Sequence, residues 1–374
     1  MEAFRLGNTS LCVDVLKMLC EKSKTDNFIF SPICVSSTLA LLLKGAKGNT
    51  AAEIQKALHF ENVNDYDFGF QTLTSDISKM CSPLKVVKNL YVDSSHKFTK
   101  EFINSTKKPY ASELVSIDIK SRPEEACNQI NTSVKDLTDG NIETVLDEGS
   151  LNENTNMVLL GATYLKGVWQ YKFNESETKE ADFHISKTET KPVQMMQQEA
   201  RLAFRFIKEI NLTILEIPFA GKQMAMVILL PKTTEDESTG LEKLEKQLTY
   251  ENYAEWTNPS KMANSKVKLS FPKFSMEKCS NMADILKSLG MDDAFNEEKA
   301  DFSGMSESKG LSVSQAIYKA AIEINEDGSE TPDVTRERYL MPKTECTVNS
   351  PFIFILRHNK TQNIFFCGRY CGPS

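Results

Sequence analysis

Met157-Val-Leu-Leu-Gly-Ala-Thr-Tyr164, continued by Leu165-Lys-Gly-Val-Trp169, is the stretch that decides the fold class. Its first eight residues are largely apolar with no period of two, as a strand buried on both faces requires. Such a strand needs a layer on each side, so the flanking sequence must supply helices and more strands. Upstream, Asn8-Thr-Ser10 can cap a helix carrying Leu11, Val15, Leu16, Met18 and Leu19 on one face. Phe28-Ile-Phe30 reads as a short strand broken by Ser31-Pro32, and Val35 to Lys44 as a buried helix. Asn49-Thr-Ala-Ala-Glu53 opens the next helix with an acid in its first turn. Val86 to Val92 reads as a strand, and Pro123 to Asp136 as a helix that Gly140 ends. Downstream the pattern turns to β structure. Ile214 to Phe219 and Met224 to Leu230 flank Ala220-Gly-Lys222, a hairpin signal. Val267 to Phe271 alternates and Pro272 closes it. Leu311 to Ile324 is long and mainly apolar, and Phe352 to Leu356 with Ile364 to Cys367 makes a last pair. Helices in front, sheets behind and one shared core predict an α+β protein forming one domain over residues 1–374.

The 374 residues carry 44 basic and 51 acidic side chains, a net charge of −7, with both signs interleaved. No basic stripe of the kind a nucleic-acid partner demands is present, and Lys107-Lys108 reads as a solvated face. The strongly apolar run Leu39 to Leu43 stops at Lys44, too short to span a bilayer, so no membrane insertion is expected. Met1-Glu-Ala-Phe-Arg5 is followed by no apolar leader core. The nine cysteines are odd in number and widely spaced, which fits free thiols in a reducing compartment. A cytoplasmic protein is the expectation, with export by a leaderless route as the alternative. The sequons at Asn8, Asn104, Asn131, Asn174, Asn211 and Asn359 then read as chance.

Catalytic chemistry is not legible. The four histidines, His59, His96, His184 and His358, show no HExxH spacing and lie beside no activated nucleophile. Gly45-Ala-Lys-Gly48 lacks the Gly-Lys-Ser/Thr end of a phosphate loop, and Ser303-Gly-Met-Ser306 is not a nucleophile elbow. Cys367 and Cys371 have no second pair for zinc. No enzyme, no cofactor and no metal are expected.

An ordered series of segments resembles the serpin family over about 350 residues. It runs through Asn27-Phe-Ile-Phe-Ser-Pro32, Gly45 to Leu58, Asn89-Leu-Tyr-Val92 and Gly161 to Trp169. Lys191-Pro-Val-Gln-Met-Met196, Ile217-Pro-Phe219, Leu229-Leu-Pro231, Phe271-Pro-Lys-Phe274, Asp301 to Met305 and Ser350 to Phe354 continue it. The resemblance implies three β-sheets, eight or nine helices and an exposed reactive loop over about 329–346. It also implies that Ser31 and Trp169 belong to the region where the main sheet opens. The short amino terminus and free cysteines are similar to the ovalbumin-like, intracellular branch.

In inhibitory serpins a protease cleaves that loop and is trapped while the loop inserts as a new central strand. The hinge here is Glu326-Asp327-Gly328-Ser329-Glu330-Thr331-Pro332-Asp333, without the alanine run such members carry. Alternation from Ser329 would turn Thr331, Asp333, Thr335 and Glu337 inward, burying two unpaired carboxylates. Pro332 would remove a ladder hydrogen bond in mid-strand. The scissile position implied by the family, fourteen residues past Gly328, is Pro342, whereas the attractive basic cleavage site, Arg338, is only ten past it. The expected function is therefore that of a non-inhibitory serpin acting through protein contacts. The resemblance links that role to cell adhesion, restrained migration and tumour suppression. Its expected partners are cell-surface, matrix or cytoplasmic proteins, met by a monomer. The alternative is an inhibitor of a trypsin-like serine protease with Arg338 as bait.

Overall fold

The computed structural model describes residues 1–80, 84–232, 239–330 and 344–373. The amino-terminal third contains α1 (Glu2–Lys22), β1 (Phe28–Phe30), α2 (Pro32–Gly45), α3 (Gly48–Ala57) and α4 (Tyr66–Ile77). β2 (Leu84–Asp93), α5 (Lys100–Tyr110), β3 (Glu113–Ile117) and α6 (Pro123–Leu137) follow. The middle is β4 (Met157–Lys166), β5 (Trp169–Tyr171), β6 (Lys179–His184), β7 (Thr190–Ile207), β8 (Leu212–Pro218) and β9 (Met224–Pro231). Next come α7 (Leu241–Gln247), α8 (Tyr250–Trp256), β10 (Ala263–Pro272), β11 (Phe274–Asn281), α9 (Ala283–Ser288) and β12 (Gln315–Ile324). The last strands are β13 (Gly328–Glu330), β14 (Thr344–Thr347), β15 (Phe352–His358) and β16 (Ile364–Tyr370).

Among the described residues these make nine α-helices and three hydrogen-bonded sheets, in line with the expected architecture. The main sheet has the order β11-β12-β4-β2-β3. β4 lies at its centre, parallel to β12 and antiparallel to β2. Its two faces are buried in different places, which accounts for its unbroken apolar run. Val158, Leu160 and Ala162 pack with Ala126, Ile130 and Val134 of α6. Met157, Leu159 and Leu165 join the larger core that contains α2. That helix begins as its sequence demands, with Pro32 at its first position and Ser31 accepting a hydrogen bond from the Cys34 amide at 3.4 Å. The hairpin of β8 and β9 forms around Ala220–Lys222, where Gly221 has φ +75°.

Two local expectations fail. Asn8-Thr-Ser10 caps nothing: α1 starts at Glu2, and Asn8 and Thr9 sit buried within it. Small polar residues on a packed helix face mimic a cap signal. Glu53 is not in the first turn of its helix, because α3 already starts at Gly48. Its carboxylate instead accepts from Asn49 Nδ2 at 2.9 Å and from the Asp293 amide at 2.8 Å. Lys107 and Lys108 are exposed in the last turn of α5, where cations suit the helix dipole.

Candidate functional site at the hinge

The chain leaves the main sheet at Ile324, and the five residues after Asn325 are bound along β5. Trp169 anchors this junction from below. It is fully buried, stacked on Phe219 at 4.6 Å between ring centres, with Phe173 edge-on at 5.9 Å. Its indole Nε1 donates to the Asn325 carbonyl at 2.9 Å, and its amide to the Asp327 carbonyl at 2.8 Å. The amides of Phe173 and Lys172 donate to the carbonyls of Glu326 and Glu330 at 3.1 and 2.7 Å. β13 thus lies parallel to β5, with Gly328 opposite Trp169 and Glu330 opposite Tyr171. Gly328 is required by this contact, since a Cβ there would come within 2.5 Å of the Lys172 backbone.

Charge fixes the same residues. Glu326 is 7% exposed, and its carboxylate accepts from Lys273 Nζ at 2.9 Å and Thr178 Oγ1 at 2.8 Å. Burial pushes this carboxyl up, but the hydrogen bonds from Lys273 and Thr178 outweigh it and hold it below the ordinary glutamate value. Asp327 pairs with Lys166 at 3.0 Å at the surface, and that hydrogen bond lowers its pKa. Ser329 Oγ donates to the Gln170 carbonyl at 3.2 Å.

The sheet beside the hinge is closed. β12 and β4 are paired without interruption from Gln315 opposite Val158 to Glu323 opposite Lys166. A further strand could enter only by separating them.

Of the residues singled out in the sequence, the structure brings together Glu326, Asp327, Gly328, Ser329, Glu330 and Trp169. Ser31 is elsewhere, buried beneath the middle of the sheet beside a cavity of about 40 Å³ that Cys34, Gly161 and Tyr318 also line. Thr331, Pro332, Asp333 and Arg338, with Glu337 and Pro342, lie outside the described residues. Sequence reasoning missed Lys273, Thr178 and Lys166 as partners. Lys273 was within reach, because it stands inside Phe271-Pro-Lys-Phe274 and a buried Glu326 requires a cation. Among the described residues no cluster of ligands could hold a metal, and no helix is long and apolar enough to cross a membrane.

A hinge segment that leaves the end of the main sheet and is anchored by a buried tryptophan is the arrangement of a serpin. The model of the family "Serpin (serine protease inhibitor)" matches residues 6–373, and the chain belongs to that family. Serpin B5 of Xenopus laevis is 64% identical over 375 residues, covering all of this chain and 98% of that protein. Serpin B5 of Homo sapiens is 52% identical, with all of both chains covered. The leukocyte elastase inhibitor of Equus caballus is 41% identical, again over all of both. A crystal structure of maspin superposes with a TM-score of 0.95 at 51% identity, covering 99% of each chain. That of a tumour suppressing serpin gives 0.93 at 50% identity over all of both, and uncleaved ovalbumin 0.93 at 30% identity, covering 99% of this chain and all of that one.

Proposed function

We propose that this chain is a non-inhibitory serpin of the maspin type, a single domain over 1–374 that acts through protein contacts and carries no enzymatic activity. The observation that carries the reading is the base of the loop. Gly328–Glu330 is bound along β5, off the end of the sheet, while β12 and β4 remain paired. Insertion would have to break both ladders. The strand gained in return would carry Pro332 and the inward carboxylates of Asp333 and Glu337, each costing several kcal/mol unless protonated. A trapped acyl-enzyme would hydrolyse before such a strand formed. The similarity to Serpin B5 and to a tumour suppressing serpin supports a tumour-suppressing role, expressed through cell adhesion and restrained migration. Its partners would be cell-surface, matrix or cytoplasmic proteins, bound by a monomer that acts in the cytoplasm or outside the cell.

The second reading, a protease inhibitor with Arg338 as bait, draws on the similarity to the leukocyte elastase inhibitor and on an arginine placed in the loop. Incubation with trypsin-like proteases followed by a denaturing gel separates the two. Cleaved chain and free protease are expected. A covalent complex surviving SDS would remove the first reading. Cleavage should also leave the thermal midpoint nearly unchanged, whereas strand insertion would raise it strongly.

A further inference from the structure

Asp327 and Gly328 form one of two Asp-Gly pairs in the chain, the other being Asp139-Gly140, and no Asn-Gly pair occurs. An aspartate followed by glycine can cyclise, because no side chain hinders the next amide nitrogen from reaching the carboxyl carbon. Whether it does depends on how that amide and that carboxyl are held. The Gly140 amide is tied to the Lys135 carbonyl at 2.8 Å, past the end of α6. The Gly328 amide is not tied. In the parallel ladder the Trp169 amide donates to the Asp327 carbonyl, so alternation turns the Ser329 amide toward β5 and the Gly328 amide away from it. The Gly328 amide donates to no described residue. The Asp327 side chain is 46% exposed, with Lys166 Nζ at 3.0 Å. β13 is only three residues long, with Ser329 and Glu330 exposed, so its local opening costs little.

We propose that Asp327-Gly328 is a site of spontaneous isoaspartate formation, which lengthens the hinge backbone and releases it from β5, with Lys166 as its brake. The Gly328 nitrogen bonds to Asp327 Cγ, and its proton leaves with the carboxyl hydroxyl as water. Water then adds to either carbonyl of the five-membered imide. Opening the bond from Cγ to nitrogen restores aspartate. Opening the bond from the α-carbonyl carbon to nitrogen leaves the chain running through Cβ and Cγ. One water is lost and one regained, so the mass is unchanged and no oxidant or cofactor is consumed. The form that cyclises is the neutral acid, whose hydroxyl can leave, and the Lys166 ion pair holds the carboxyl ionised. The extra backbone atom has no room, since even a Cβ on Gly328 would come within 2.5 Å of the Lys172 backbone. β13 then parts from β5, and Ser329 Oγ leaves the Gln170 carbonyl. The freed α-carboxylate is the group that an isoaspartyl carboxyl methyltransferase, using a sulfonium methyl donor, would recognise. This chemistry needs neither protease nor binding partner, so it stands or falls apart from the proposed function.

Ageing the intact chain at neutral pH and body temperature for several weeks tests it. Tryptic peptides 320–336 and 136–166, which carry the two Asp-Gly pairs, are then compared. The isomer is recognised by its unchanged mass, its isoaspartate-specific fragments and methyl transfer from S-adenosylmethionine by an isoaspartyl methyltransferase. It should accumulate at Asp327 about tenfold faster than at Asp139, the worth of the amide hydrogen bond that Gly140 keeps. Lys166→Met should raise the rate at Asp327 by roughly threefold, as loss of a surface ion pair allows. In the aged sample, a fraction equal to the isomer should lose hydrogen-exchange protection at the Trp169 and Lys172 amides. Asp327→Glu, whose longer side chain closes no five-membered imide, should keep that protection through the same ageing. No isomer at Asp327, or equal amounts at both sites, would overturn the site. A Lys166→Met chain that ages no faster would overturn the brake, and an isomer with both amides still protected would overturn the release.

Discussion

Replacing Lys88 by methionine should stabilise the protein at neutral pH by roughly 3 kcal/mol. Lys88 lies on β2 with only 6% of its surface exposed, opposite Gly161 on β4. No ion pair or hydrogen bond joins its ammonium to a described residue. Burial lowers its pKa from the ordinary 10.5 to about 8, with the neighbouring Cys34 acting weakly the other way. A displacement of that size, at about 1.4 kcal/mol per pH unit, gives the figure above. Methionine keeps the length of the stem and removes the charge. The sign follows from proton counting. Below about pH 8 the lysine is charged in both states and the folded state bears the full penalty. Between about 8 and 10.5 the unfolded chain holds the extra proton, so wild-type stability from this group rises with pH. Cys34 opposes that trend, since burial raises its thiol from 9.0 to about 11 and its contribution falls as pH rises above 9. The informative quantity is therefore the difference between variant and wild type, read below pH 9. It should narrow from roughly 3 kcal/mol at pH 7 to roughly 2 kcal/mol at pH 9. Urea unfolding at the two pH values, with equal m-values for both proteins, measures it. A variant no more stable than wild type, or a gap independent of pH, would refute the idea of an uncompensated ammonium beneath the sheet.

At the hinge, Lys273→Met should destabilise by about 1–3 kcal/mol in urea unfolding, because it leaves the Glu326 carboxylate buried with Thr178 alone. Glu326 contributes stability above the ordinary glutamate range and loses it as pH falls through its depressed value. Glu326→Gln should therefore flatten part of the acid limb of a stability–pH curve, and an unchanged limb would count against the pair. Gly328→Ala should part β13 from β5, since the new methyl meets backbone rather than a yielding side chain. In a Trp256→Phe background the emission of Trp169 should then shift to the red, while a spectrum like the parent's would show that the contact is not obligatory. Phe219→Ala should cost about 3–5 kcal/mol by removing the ring stacked on Trp169, again read from urea unfolding.

What the sequence makes legible follows from how local each signal is. The buried strand read over Met157 to Tyr164 and the hairpin around Ala220–Lys222 are written in adjacent residues and form as read, while the helix read from Val35 forms but begins three residues earlier, at Pro32. Asn8-Thr-Ser10 misleads for the same reason: a cap is a local pattern, and nothing local tells a capping triplet from polar residues packed on a helix. The hinge is half legible. Its chain segment is continuous and familiar, but the cation that neutralises Glu326 comes from 53 residues away and the threonine from 148. The contact of Tyr318 with Gly161 and Thr38 is not legible at all. A glycine in mid-strand, a tyrosine in another strand and a threonine in a helix carry no shared period, and the two hydroxyls are 280 residues apart in the chain.

That difference bears on how a non-inserting serpin can be built. A loop with Pro332, Asp333 and Glu337 is a poor central strand, and restoring alanines there would be the obvious way to reverse it. The seam adds a second obstacle that loop substitutions do not touch, because β12 and β2 are bonded to one helix. A loop made fit to insert should still leave the thermal midpoint unchanged after cleavage while Tyr318 and Thr38 remain. The midpoint should rise only when the loop and the Tyr318–Thr38 contact are altered together. If the altered loop alone raised it, the barrier would reside wholly in the loop, and the contact beneath the sheet would be packing without consequence for opening.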